Sequence, residues 1–270
     1  MKKLFRGFIM FSLMLVSCGP SSKQQSTLFA VSFFSTLTAE ASSNITLIPT
    51  MTPIPDLTAN ALSQIYKAAT SQASWKTSLY DSFGNNVFDW CNDTSTTILD
   101  DGAKFHCHIN NGVYQLNYTS GEKNPQVYVS PQGFYYDFNV SVLSKLINGD
   151  PETSYGIVFR AYQQDNKGLT RFIINPSFEY RIDTRDSNNN WIILQDWTKT
   201  NDLKPQGEWN KIAVIGVGPF FSFFINDKYQ TSLTYNGADA GKGTIGLVVN
   251  SETPRKSIEV FFDDFNTREP

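Results

Sequence analysis

The sequence predicts an all-β fold, a two-sheet antiparallel sandwich of the jelly-roll type over residues 79–267, with a flexible tether at 18–55 and a short helix at 56–73 in front of it. Three observations carry this reading. Beyond Ser78 the chain breaks into short runs of aromatic and β-branched residues, at 113–118, 126–130, 134–142, 155–162, 170–175, 178–183, 191–195, 209–217, 220–226, 244–250 and 257–265. Turn chemistry separates them: Asp165-Asn166-Lys167-Gly168, the stretch 186–190, Gly216-Val217-Gly218-Pro219, Asn226-Asp227 and Gly241-Lys242-Gly243. No helical period of ordinary length interrupts the runs, and the aromatic positions do not recur at the forty or so residues of a propeller blade. So many antiparallel strands hide their apolar faces by stacking two sheets or by closing a barrel, and the sandwich is the expectation.

Before the sandwich, each segment has its own signature. Lys2, Lys3 and Arg6 precede an apolar stretch from Gly7 to Leu15 that is too short to span a bilayer, the pattern of an export signal. It ends Leu15-Val16-Ser17-Cys18-Gly19, which resembles the lipobox of bacterial lipoproteins. That resemblance implies removal of residues 1–17, lipidation of the Cys18 thiol and anchoring to the outer face of a bacterial membrane through lipid alone. The tether is rich in Ser and Thr and carries Pro49, Pro53 and Pro55. Pro55-Asp56 is a helix-start signal, followed by Leu57, Ala61, Ile65 and Ala68 at helical spacing.

Charge and cysteine content narrow the chemistry. Of the 270 residues 40% are hydrophobic, enough for a packed core, and only 17% are charged, against roughly 25% in soluble domains. With 22 basic and 25 acidic residues there is no excess of positive charge to grip a phosphate backbone, so nucleic acid is not an expected partner. Loss of Lys2, Lys3 and Arg6 would move the formal net charge from −3 to −6. Cys91 and Cys107 enclose fifteen residues in a chain expected in an oxidising compartment, which predicts a disulfide. A metal site at His106-Cys107-His108 is disfavoured, because in a strand the two imidazoles point one way and the thiol the other.

Period-two alternation then assigns faces. Tyr155, Ile157 and Phe159 separate from Gly156, Val158 and Arg160; Phe172 and Ile174 from Arg171, Ile173 and Asn175; Tyr180 and Ile182 from Arg181 and Asp183. The first set in each strand reads as core. The second places Arg160, Arg171 or Asn175, and Arg181 on one outer face.

The ordered signs Asp81-Ser82-Phe83, Tyr155-Gly156-Ile157-Val158-Phe159-Arg160, Trp191 to Trp197, Asn210-Lys211-Ile212-Ala213-Val214, Phe224-Ile225-Asn226-Asp227 and Phe262-Asp263-Asp264-Phe265 resemble the concanavalin A-like lectin/glucanase superfamily. More narrowly they are similar to its laminin G-like and 3-keto-disaccharide hydrolase-type sandwiches. The resemblance implies two curved sheets with ligands met by the concave sheet or its rim loops. Asn226-Asp227 departs from the usual Asn-Gly of the late hairpin.

Catalytic patterns are missing. Retaining glycosidases need two carboxylates about 5 to 5.5 Å apart, and glucan-cleaving members of the superfamily carry them as Glu-x-Asp-x-Glu. This chain has no such run; Glu179 with Asp183 has the wrong period, and Asp263 with Asp264 lies adjacent. Neither a Gly-x-Ser-x-Gly elbow nor a phosphate-binding Gly-rich loop is present. Binding is the better expectation, since sugars are met by flat aromatic faces and hydrogen-bonding side chains. Tyr162, Trp191, Trp197 and Trp209 are candidate platforms, and Arg160, Arg171, Asn175 and Arg181 candidate polar partners. Core packing for the tryptophans and pairing with Asp183 for the arginines are the alternatives. Asp81, Asp263 and Asp264 would meet if the first and last strands pair, and their oxygens suit a structural calcium ion. The expectation is a membrane-anchored, non-catalytic module that binds a glycan or another cell-surface component; the alternatives are a glycan-processing hydrolase and a structural or protein-interaction module.

Overall fold

The computed structural model describes residues 74–91, 93–99, 101–122, 126–131, 133–161, 168–186, 188, 190–235 and 241–270. The signal segment, Cys18, the tether, the helix at 56–73 and Tyr162 lie outside the described residues. Fifteen strands follow one another: β1 (Lys76–Asp81), β2 (Asp93–Ile98), β3 (Lys104–Asn110), β4 (Val113–Thr119), β5 (Gln126–Val129), β6 (Phe138–Asn148), β7 (Thr153–Ala161), β8 (Leu169–Asn175), β9 (Glu179–Arg185), β10 (Trp191–Lys199), β11 (Asn210–Val217), β12 (Phe220–Ile225), β13 (Lys228–Thr234), β14 (Thr244–Ser251) and β15 (Ser257–Glu269). All pair antiparallel. One sheet has nine strands in the order β13-β12-β11-β6-β15-β4-β3-β2, with β1 paired to the last residues of β15; the other has six in the order β10-β9-β8-β7-β14-β5.

The core lies between the two inner faces, where alternation sends it. Tyr155, Ile157, Phe159, Phe172, Ile174 and Ile182 from the six-stranded sheet meet Val140, Val142, Val214, Phe221, Phe223 and Phe262 from the nine-stranded one. Ring pairs lock the layers together: Phe159 lies 5.2 Å from Phe221 and Phe172 lies 5.1 Å from Phe223. Each such phenyl group, fully buried, stabilises the fold by about 1.5–3 kcal/mol.

The anticipated strands are present, and four more join them. β1, β2 and β13 are polar, exposed or peripheral segments whose pairing comes from a neighbour, while β3 carries two histidines within Lys-Phe-His-Cys-His-Ile-Asn. Their composition alone does not separate them from loops. The late hairpin between β12 and β13 turns on Asn226 (φ 50°) and Asp227 (φ 64°), so the missing glycine leaves a left-handed two-residue turn intact. Asn226 holds that turn by accepting from the Lys211 backbone N–H at 2.9 Å and donating to the Asp202 carbonyl at 2.6 Å. Cys91 and Cys107 form the expected disulfide, with Cα atoms 5.8 Å apart.

Candidate functional site

The outer face of the six-stranded sheet brings polar and aromatic side chains together. On β9 the alternation turns Tyr180 and Ile182 inward and Arg181, Asp183 and Arg185 outward. A three-residue turn after Asn175 sets Arg171 of β8 opposite Asp183 of β9, and Ile173 opposite Arg181. Asn175 shapes that turn: its Oδ1 accepts from the backbone N–H groups of Ser177 and Glu179, both at 3.0 Å.

Arg171 is the centre of the network. Its Nε and Nη2 donate to the two oxygens of Asp183, each at 2.7 Å, a bidentate fork between side chains only 7% and 0% exposed. Nη1 donates to Gln126 Oε1 at 2.6 Å and faces Asn250 Oδ1 at 3.5 Å. Arg181 adds an ion pair to Asp183 at 3.3 Å and a longer one, 3.6 Å, to Glu252. Trp191 lies over the guanidinium of Arg171, its ring centroid 3.9 Å from Cζ, and keeps 39% of its surface exposed. Trp197 approaches Arg181 at 5.8 Å and packs with Tyr128 on an outer apolar floor of Val158, Leu169, Ile173 and Val248.

The geometry also gives this face its shape. Gln126 belongs to one edge strand, β5, and Trp191 to the other, β10, yet both touch Arg171 on β8. In a flat sheet those edges would stand about 24 Å apart, so the face is cupped. Two register shifts in β10, between Ile193 and Gln195 and between Gln195 and Thr198, supply local bending at one lip. Glycines keep the floor low, because a Cβ at Gly156 would collide with the carbonyl oxygen of Phe172 in the next strand. Tyr128, on the far side, has its phenol pushed above the usual range by burial, with the charge of Arg185 pulling the other way.

Arg171 and Arg181 thus share the outer face that alternation assigns them, and Trp191 and Trp197 lie against them there. Three other candidates stand elsewhere. Arg160 was expected on this outer face, but a bulge at φ 54° turns its side chain into the end of the sandwich. There it donates to the backbone carbonyls of Gly241, Tyr136 and Gly218 at 2.7–2.8 Å, a clamp on three loops. Trp209, just before β11, lies against the opposite sheet, under Lys145 at 4.6 Å. Asn175 is occupied by its own turn, with Nδ2 donating to Glu179.

The suggested calcium ligands do not converge. Asp81 points inward, its oxygens accepting from the Phe83 N–H at 2.7 Å and the Trp90 indole N–H at 2.8 Å. Burial pushes its carboxyl above the usual range, and those two bonds oppose the rise. Asp264 accepts instead from the Tyr80 hydroxyl at 2.7 Å, and the phenol is pushed up to about 12, first by burial and then by that bond. Among the described residues no three His, Cys, Asp or Glu side chains are grouped to hold a metal ion.

Sequence reasoning missed Gln126, Asn250 and Arg185. Arg185 was within reach, since it continues the Arg181-Asp183 alternation. Gln126 and Asn250 lie 45 and 79 residues from Arg171, and nothing local marks them.

The acid groups of this face are committed to structure. Glu179 and Asp183 point the same way but are four residues apart, about 13 Å along the strand, beyond the spacing of retaining or inverting carboxylate pairs. Asp183 is consumed by two arginines, and Glu179 pairs with Lys199 at 3.3 Å.

No protein-family profile and no curated protein matches the chain. Solved structures do. The GlcNAcα1-4Gal releasing endo-β-galactosidase from Clostridium perfringens is 13% identical with a TM-score of 0.53, over 73% of this chain and 64% of that one. SCLam, a non-specific endo-β-1,3(4)-glucanase from family GH16, is 11% identical with a TM-score of 0.51, over 73% and 92%. LamAcat from Zobellia galactanivorans is 11% identical with a TM-score of 0.50, over 72% and 98%. At these identities the likeness is one of fold alone: a sandwich of two antiparallel sheets.

Proposed function

We propose that this chain is a non-catalytic glycan-binding module, exported and held at the outer face of a bacterial membrane through a lipidated Cys18, and that the cupped face of its six-stranded sheet meets the sugar. One observation carries the reading: Trp191 is a half-exposed indole braced against Arg171, which is itself fixed by Asp183 and Gln126. A rigid aromatic plane with buried polar support is what stacking on a sugar ring requires, and its order is present before the ligand arrives. The carboxylate spacing on the same face supports binding over hydrolysis. Glycan-array binding of the full chain and of Trp191→Ala tests this. The variant should lose at least tenfold in affinity while keeping its thermal midpoint within a few degrees; unchanged binding would remove Trp191 from the site.

The glycoside hydrolases among the similar folds keep a second reading open to test. Release of reducing ends from any glycan that the wild-type chain binds, abolished in Asp183→Asn or Glu179→Gln, would replace binding with hydrolysis.

A further inference from the structure

Among the described residues every acidic group around the cupped face has a partner, but one basic side chain does not. Asp183 takes Arg171 and Arg181, Glu179 takes Lys199, and Glu252 stands beside Arg181. Asp186, next in sequence to Arg185, is turned into its own loop, where it accepts from the backbone N–H groups of Asn188 and Asn190, each at 2.8 Å, and from the Asn190 side chain. The Arg185 side chain has neither an ion pair nor a hydrogen bond among the described residues, and its Nε is buried without an acceptor.

Its place in the fold is defined on three sides. It follows Arg181 and Asp183 on the outer face of β9, stands opposite Trp191 of β10 and Leu169 of β8, and its charge is felt at Tyr128, across the cup on β5. Arg185 therefore stands on the outer face in register with the exposed indole, its charge reaching toward the far wall. A buried donor left without an acceptor costs about 1–3 kcal/mol, more for a charged group, so this position favours anything that brings an oxyanion to it. Arg171 cannot play that part, because its own donors are spent on Asp183 and Gln126.

Building on the glycan-binding reading, we propose that Arg185 makes the site selective for acidic glycans: a sugar ring stacks on Trp191 while its carboxylate or sulfate is held by the Arg185 fork. Both oxyanions present paired oxygens that match a guanidinium better than an ammonium ion. Arg185 is then the specificity-determining residue and Trp191 the general platform.

The test probes the full chain at physiological salt on a printed array of neutral, uronic-acid-bearing and sulfated glycans, with Arg185→Met, Arg185→Lys and Arg255→Met alongside. Arg255 is an exposed arginine, paired with Glu122 at 2.9 Å, and serves as the control for general charge. Wild-type signal should favour acidic glycans over their neutral counterparts by at least tenfold. Arg185→Met should erase that preference, Arg185→Lys should restore only part of it, and Arg255→Met should leave it intact. The uronic and sulfated arms tell which oxyanion is read. Binding confined to neutral glycans, preference surviving Arg185→Met, or equal loss in Arg255→Met would overturn the inference while the glycan-binding reading stands. Silence on every glycan would overturn both.

Discussion

Replacing Asp183 by asparagine keeps the side-chain volume and removes the charge that two arginines share. The carboxylate is fully buried and accepts two 2.7 Å bonds from Arg171, with Arg181 a further 3.3 Å away. In Asp183→Asn one oxygen remains to accept, the amide N–H group opposes an Arg171 donor, and a guanidinium only 7% exposed keeps its charge without a counter-ion. Removing one partner of a buried pair typically costs about 3–5 kcal/mol. The lower end applies here, because Gln126 still accepts from Arg171. For a domain of this size about 3 kcal/mol lowers the thermal midpoint by roughly 6–12 °C. Equilibrium urea unfolding of wild type, Asp183→Asn, Arg171→Met and the double variant measures it. The double variant should be more stable than the sum of the two single losses allows, since the buried Arg171 charge is no longer there to be stranded. A loss under about 1 kcal/mol in Asp183→Asn, or strict additivity, would refute the claim that this pair organises the cupped face.

Two other expectations are independent of any ligand. Burial, and then the neighbouring His106 imidazole stacked at 4.6 Å, pushes His108 below its ordinary 6.5, while Glu259 and a bond to Gln115 oppose the shift. The unfolded chain then binds the proton more readily, so this stability is full above 6.5 and is lost as pH falls through the folded value; His108→Gln should flatten the decline seen by urea unfolding between about pH 7.5 and 5.5, and an equal decline in the variant would discount it. Reducing the Cys91–Cys107 bond, which spans 16 positions, should lower stability by about 3 kcal/mol, read as a shift in unfolding midpoint with and without dithiothreitol; a shift below about 1 kcal/mol would mean the unfolded chain is already held close at this loop.

The local sequence was informative about faces because side chains in a strand alternate with period two. Tyr155, Ile157 and Phe159 had to share a side, as did Arg181 and Asp183, whatever the rest of the chain did. Alternation misassigns a side chain where the period breaks. A bulge at Arg160 turned an expected surface residue into a clamp on three backbone carbonyls, and nothing adjacent to it announces the extra residue. The polar strands β2 and β13 went unrecognised for a different reason: they take their hydrogen bonds from one neighbour at a sheet edge and bury little, so their composition resembles that of a loop.

Sequence by itself determined the strand-rich class, the two-layer arrangement, the inward rows and the disulfide, all of which depend on spacing along the chain. Tertiary structure alone decided which aromatics and which charges share a surface. Trp191 and Trp209 look equivalent in the chain, yet one braces Arg171 and the other lies under Lys145 on the opposite sheet. The partners of Arg171 come from both edge strands, brought together only because the sheet curves. In an antiparallel sandwich neighbours across a face are joined by pairings distant in sequence, and alternation, being a local rule, carries no information about them.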